Sequence, residues 1–194
     1  MPVRVQTEDF DLTGAVAGLR AAQGARAAQI GAIATFIGTV RDINDGAGVA
    51  AMTLEHYPGM TERALEDIVA QARARWDIFD ALVIHRVGTL RPQDQIVLVA
   101  TVGAHRGEAF AACEFIMDYL KTQAPFWKKE ATPSGERWVE ARASDDAAAA
   151  KWAQGAPATP NLPGQEAGAG AVKYVGGDRA GAKGEGQDQG GGKA

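Results

Sequence analysis

Apolar and polar positions change period several times over the first 152 residues, and each change predicts a new element. Residues 31–40 (GAIATFIGTV) and 49–57 (VAAMTLEHY) are apolar and β-branched runs, the composition of strands. The DINDGAG between them is dense in turn formers and predicts a mobile hairpin loop joining the two. Over residues 61–75, Leu65, Ile68, Val69 and Ala72 form one apolar stripe behind Thr61, which predicts a helix capped by that threonine. Residues 81–87 and 95–102 predict two strands around an Arg-Pro-Gln-Asp turn at 91–94. A second long helix is expected over residues 107–121, and Pro125 stops it from running much further. An alanine-rich stretch at 12–24 predicts a leading helix, and residues 137–141 a last short strand. The order β-β-α-β-β-α-β behind a helix is that of an α+β fold with a largely antiparallel sheet.

Composition adds a boundary. From residue 153 to 194 the chain holds 12 of its 24 glycines and a single aromatic residue, Tyr174. Such a segment buries too little apolar surface to offset an ordering cost of roughly 1–2 kcal/mol per residue. The reading is one domain over residues 1–152 and a low-complexity, disordered tail over 153–194. The tail's charges cancel, so the formal net charge of −4 belongs to the folded part. That balance argues against a general nucleic-acid binder, which needs an excess of Lys and Arg to displace counterions. The opening MPVRVQTEDF lacks the apolar core of a signal peptide, and no stretch approaches the ~18 apolar residues of a membrane span. A cytoplasmic protein is expected. Cys113 is the only cysteine, so no intrachain disulfide forms, and three histidines without acidic partners at ligand spacing make a metal site improbable.

The chemistry is concentrated in AHRGEAFAACEFIMDYLKTQAPFWKKE, residues 104–130. His105 and Arg106 stand where a strand gives way to a helix start, beside backbone N–H groups that attract anions. Phe110, Glu114, Met117 and Lys121 follow in steps of three and four, so they share one side of the helix. Past Pro125, Trp127, Lys128 and Lys129 are placed to fold back toward the same space. Arg41, in FIGTVRD, lies where a strand enters the flexible loop, a common place for a binding group. Spacing alone leaves a plainer account open: Lys121 complements the helix dipole, and Lys128, Lys129 and Arg41 are solvated surface. Phe110, Phe115, Ile116, Met117 and Leu120 are expected in the core. Cys113, mid-helix with nothing beside it to lower its pKa, is expected to be a small buried hydrophobe. His56 and His85, on strands, are expected to be structural.

TFIGTVRD at 35–42, LEHYPGMTE at 54–62, VIHRVG at 83–88, AHR at 104–106, FIMDYLKTQAPFWKKE at 115–130 and RWVEAR at 137–142 together closely resemble the molybdopterin synthase catalytic-subunit family. The resemblance covers about residues 30–152. It implies an α/β hammerhead fold and a homodimer in which each protomer binds a small ubiquitin-like sulfur-carrier subunit, making a heterotetramer. It further implies that the thiocarboxylate at the carrier's Gly-Gly end gives up its sulfur to cyclic pyranopterin monophosphate, forming the dithiolene of molybdopterin. No cofactor is expected beyond that phosphorylated pterin substrate.

Carried over by motif, the substrate-binding positions are Thr39, Val40, Arg41, His105, Arg106, Lys121, Lys128, Lys129 and Glu130, with Lys121 and Lys128 as the catalytic pair. Guanidinium suits a phosphate because it donates two parallel hydrogen bonds. Lys121, held near Lys128 in a partly apolar pocket, is expected to have its ammonium disfavoured by desolvation and like charge. Two rival readings are a sulfurtransferase with a persulfide on Cys113, and a binding module that only captures a phosphate or a protein terminus. A carrier fused into the tail is disfavoured, because the tail lacks apolar strands and ends in Lys193-Ala194.

Overall fold

The computed structural model describes residues 2–44, 46–133, 135–139 and 143–153. In chain order the first elements are β1 (Val3–Gln6), α1 (Leu12–Ala21), a 3-10 helix (Gly24–Gln29) and β2 (Ala32–Thr39). Next come β3 (Ile43–Asn44), β4 (Ala47–Gly48), β5 (Ala51–His56), α2 (Met60–Arg75), β6 (Ile78–Arg86) and β7 (Gly88–Leu90). The rest are β8 (Gln95–Gly103), α3 (Arg106–Gln123), β9 (Phe126–Thr132), β10 (Gly135–Val139) and α4 (Ala143–Ala150). The tail expected over residues 153–194 lies outside the described residues apart from Ala153.

One sheet has the order β1-β6-β8-β2 and the other β10-β9-β5-β7. All pairings within them are antiparallel except β1 with β6. Strands β6 and β8 are apolar on both faces because both faces are covered. On one side Val83 and Val99 pack under Leu65 and Ile68 of α2 and Phe115 and Ile116 of α3. On the other, Leu82, Ile84, Leu98 and Val102 pack with Phe10 and Leu19 of the α1 segment. Asp11 starts α1 by accepting from the N–H groups of Thr13 (3.0 Å) and Gly14 (2.8 Å).

Several sequence-based expectations change here. The strands predicted at 31–40 and 49–57 are not a hairpin: β2 pairs with β8 in the first sheet, β5 with β7 and β9 in the second. The loop between them carries its own two-residue ladder, β3 with β4. Thr61 is not the helix cap; Gly59 holds that position at φ 81°, and its N–H donates to the Glu62 carboxylate at 2.6 Å. Thr61 is buried, its hydroxyl accepting from the Tyr57 N–H and donating to the Pro125 carbonyl, both at 3.1 Å. That bond ties the start of α2 to the turn between α3 and β9. Phe110, expected in the core, is 65% exposed. The elements β1, β7, β9 and α4 were not expected at all.

Trp152 holds the chain after α4 in place. Its indole meets Trp76 and Phe115 edge-on at 5.4 and 5.6 Å, and its Nε1 donates to Asp118 at 2.8 Å. Its carbonyl accepts from Arg75 at 2.8 Å. The consequence is that α4 returns against α3, beside the cavity described next.

Candidate active site

Strand β9 reads Phe-Trp-Lys-Lys-Glu-Ala-Thr, and strand alternation sends Phe126, Lys128 and Glu130 to one face and Trp127 and Lys129 to the other. The first face closes a cavity of about 670 Å³ between the two sheets. Its apolar floor includes Met52 and Leu54 of β5, Ile96 and Val97 of β8, and Met117 and Leu120 of α3. Its polar groups include Arg41, Asn44, Lys121, Lys128, Glu130 and Asp145. A cavity of that size with an apolar floor and few convergent charges is the usual form of a small-molecule site. A second groove of about 490 Å³, between α1 and β6, is lined by Arg4, Arg73, Asp9, Asp11 and Asp80 and holds none of the expected site residues.

Of the nine expected site residues, Thr39, Val40, Arg41, Lys121, Lys128 and Glu130 line the one cavity. Three do not. Lys129 points to the opposite face of its strand, where its ammonium meets Glu136 at 3.0 Å and the Trp138 ring at 5.6 Å. Trp127 shares that outer face and is exposed. His105 and Arg106 are exposed at the far end of α3, His105 as its N-cap residue. Sixteen residues of helix put them ~24 Å along the axis from Lys121, and they do not line this cavity of their own protomer.

Glu130 organises the charges. Its carboxylate is 3% exposed, and a buried carboxylate requires partners. It accepts from Asn44 Nδ2 at 2.8 Å and from Arg137 at 3.1 Å, with the Lys128 ammonium 3.8 Å away. Lys121 differs from the expectation of a like-charge neighbour. Half of its side chain is exposed, and its Nζ lies 3.3 Å from Asp145 at the start of α4.

The cavity residues that sequence reasoning missed include Asn44, Asp145 and His85. Asn44 and Asp145 reach it only because the loop after β2 and the segment after β10 fold back, which no local pattern signals. His85 lines it too, stacked on Phe126 at 3.8 Å between ring centres, with Nδ1 2.8 Å from the Arg86 carbonyl. Burial pushes His85 down to about 4, against the pull of the Arg86 carbonyl, with His56 adding to the shift. The imidazole is neutral at pH 7. Its place in VIHRVG beside an otherwise apolar strand was the available signal. Cys113 is buried as expected, and burial, with Glu114 adding, pushes its thiol up to about 11. Among the described residues no group of three His, Cys, Asp or Glu is placed to hold a metal ion.

Fold and site define an α+β enzyme subunit whose cavity gathers cations from separate chain segments around a buried carboxylate, an arrangement suited to an anionic substrate. A model of the MoaE protein family matches residues 5–123, and the chain belongs to that family. It is 67% identical over 150 residues to a molybdopterin synthase catalytic subunit from Ralstonia nicotianae, covering 77% of this chain and 83% of the relative. The solved structure of a molybdopterin biosynthesis MoaE protein from Burkholderia ambifaria superposes with a TM-score of 0.66 at 64% identity, covering 78% of this chain and 97% of that one. The fold is also that of one chain in a complex of subunits 1 and 2 of the molybdopterin-converting factor from Helicobacter pylori, with a TM-score of 0.60 at 18% identity, over 73% of this chain and 92% of that one.

Proposed function

We propose that this cavity is where sulfur passes from the thiocarboxylate end of a small ubiquitin-like carrier to cyclic pyranopterin monophosphate, forming the dithiolene of molybdopterin. As a family member the chain is a molybdopterin synthase catalytic subunit, a transferase of molybdenum cofactor biosynthesis. The observation that carries the site assignment is the convergence of Arg41, Lys121 and Lys128, from three separate segments, on one apolar-floored cavity. Both reactants bring anions, a phosphate and a thiocarboxylate, and the cations answer both.

In this reading Arg41 takes the phosphate, while Thr39 and Val40 shape the wall beside it. Lys121 and Lys128 are the catalytic pair, moving protons and stabilising charge as the acyl–sulfur bond of the carrier breaks. Glu130 anchors Lys128, and Asp145 aligns Lys121. The sulfur arrives on another chain, so the reaction draws on no thiol, metal or cofactor of this subunit. The cytoplasm is the compartment this reading implies; no described helix is long and apolar enough to cross a membrane.

His105 and Arg106 act on the cavity of a second protomer. Support comes from β2, an edge strand of its sheet that exposes Ile33 and Phe36, and from Phe110, exposed near the same end of α3 as His105 and Arg106. An unpaired edge flanked by large apolar side chains is a surface that proteins normally cover. The resulting assembly is a homodimer with one carrier per protomer. Lys121→Ala is the direct test: the variant should fold normally and lose ~10²-fold or more in turnover with thiocarboxylated carrier and pterin precursor. Near-normal turnover refutes the assignment.

A further inference from the structure

The loop between β2 and β5 brings Val40, Arg41, Asn44 and Val49 to the cavity, and of these Asn44 is the buried polar side chain, 5% exposed. Both ends of its amide are engaged. Nδ2 donates to Glu130 Oε1 at 2.8 Å, and Oδ1 accepts from the Arg41 guanidinium at 3.3 Å. The residue's own carbonyl accepts from Arg137 at 3.3 Å, and Arg137 also donates to Glu130 Oε2 at 3.1 Å. The backbone is held by the β3–β4 ladder, where Asn44 pairs with Ala47 and Gly46 closes the turn at φ 77°.

We infer that Asn44 is a positioning residue for Arg41, fixing the guanidinium at the cavity by tethering it to the buried Glu130. The inference rests on the reading of the cavity given above. An amide is suited to this task because it donates to a carboxylate and accepts from a guanidinium at the same time. Aspartate in its place would only accept, and would set a second carboxylate against Glu130. A direct Arg41–Glu130 pair would bind the guanidinium to the wall and neutralise it. The amide spacer avoids that: among the described residues Arg41 has no carboxylate within salt-bridge distance, so its charge stays available to an incoming anion. A tethered guanidinium also forfeits less rotamer freedom when it clamps a phosphate.

The test is steady-state molybdopterin formation by Asn44→Ala, Asn44→Asp, Arg41→Ala and the Asn44→Ala/Arg41→Ala double variant, with Lys121→Ala alongside and thermal melting of each. Asn44→Ala should raise KM for the phosphorylated pterin about tenfold, with kcat within about twofold and KM for the carrier unchanged. Asn44→Asp should be at least as impaired. The double variant should be no worse than Arg41→Ala alone, because Asn44 acts through Arg41. Additive losses, an unchanged pterin KM in Asn44→Ala, or a fall in melting temperature with no change in KM would each overturn the proposal while leaving the cavity assignment intact. If Arg41→Ala and Lys121→Ala both turn over normally, the cavity assignment itself fails and this inference with it.

Discussion

Strands β8 and β9 belong to different sheets and use burial in opposite ways. In β8 every residue from Val97 to Gly103 is buried, and these are apolar apart from Thr101, whose hydroxyl donates to the Ala109 carbonyl at 2.8 Å. In β9 the one fully buried side chain is a carboxylate, Glu130, surrounded by Asn44, Arg137 and Lys128. The first strand converts burial into stability through the hydrophobic effect. The second uses burial to hold charges at fixed positions, at a desolvation cost that its partners offset. Stability and chemistry are thus assigned to neighbouring sheets, and the cavity forms where they meet.

The largest effect that would sharpen this contrast is in β8. Leu98→Ala, at a position with no exposure, should cost about 2–5 kcal/mol in urea unfolding, while the surviving folded fraction keeps its KM values. Glu130→Gln, which preserves shape and removes charge, should cost less stability, about 1–3 kcal/mol, yet lower turnover at least tenfold because Lys128 loses its anchor. Should Leu98→Ala impair KM and Glu130→Gln leave activity untouched, the division of labour drawn here is wrong.

His85 sits between the two sheets and should report on both. Its pKa is low in the fold, at about 4, and ordinary, near 6.5, when unfolded. The unfolded chain therefore takes up the proton first as pH falls. Stability should be unaffected above pH 6.5 and decline from there toward pH 4, by about 2 kcal/mol at pH 5. Comparing urea midpoints at pH 7 and pH 5 for the native chain and His85→Gln isolates this contribution; an equal loss in both would remove His85 as the cause. The smallest effect belongs to Cys113, whose Sγ faces the Val99 carbonyl at 3.9 Å inside the β8 core. Cys113→Ser should keep turnover within about twofold, and the native thiol should resist alkylation at pH 8. Rapid alkylation with loss of activity would revive a persulfide route.

The apolar stripe of α2 and the runs of β6 and β8 were legible because each satisfies a local period and is buried as that period predicts. Strand β9 was not, since its inward positions mix Phe126 with Lys128 and Glu130 and its outward ones mix Trp127 with Lys129, so apolar and charged residues do not alternate by face. Phe110 misled for a related reason: helical spacing assigned it to a face, but only neighbouring elements decide whether that face is covered, and here they leave it exposed.

By itself the chain's sequence determined the α+β class, the two long helices, the buried place of Cys113 and, through its motifs, the family. Those are consequences of local periodicity and of residue identity. Tertiary structure alone decided that β2 and β5 part into separate sheets and that Asn44, Asp145 and His85 reach the cavity. Pairing partners and charge networks depend on contacts between residues far apart along the chain, such as Asn44 with Glu130, and no local period encodes them.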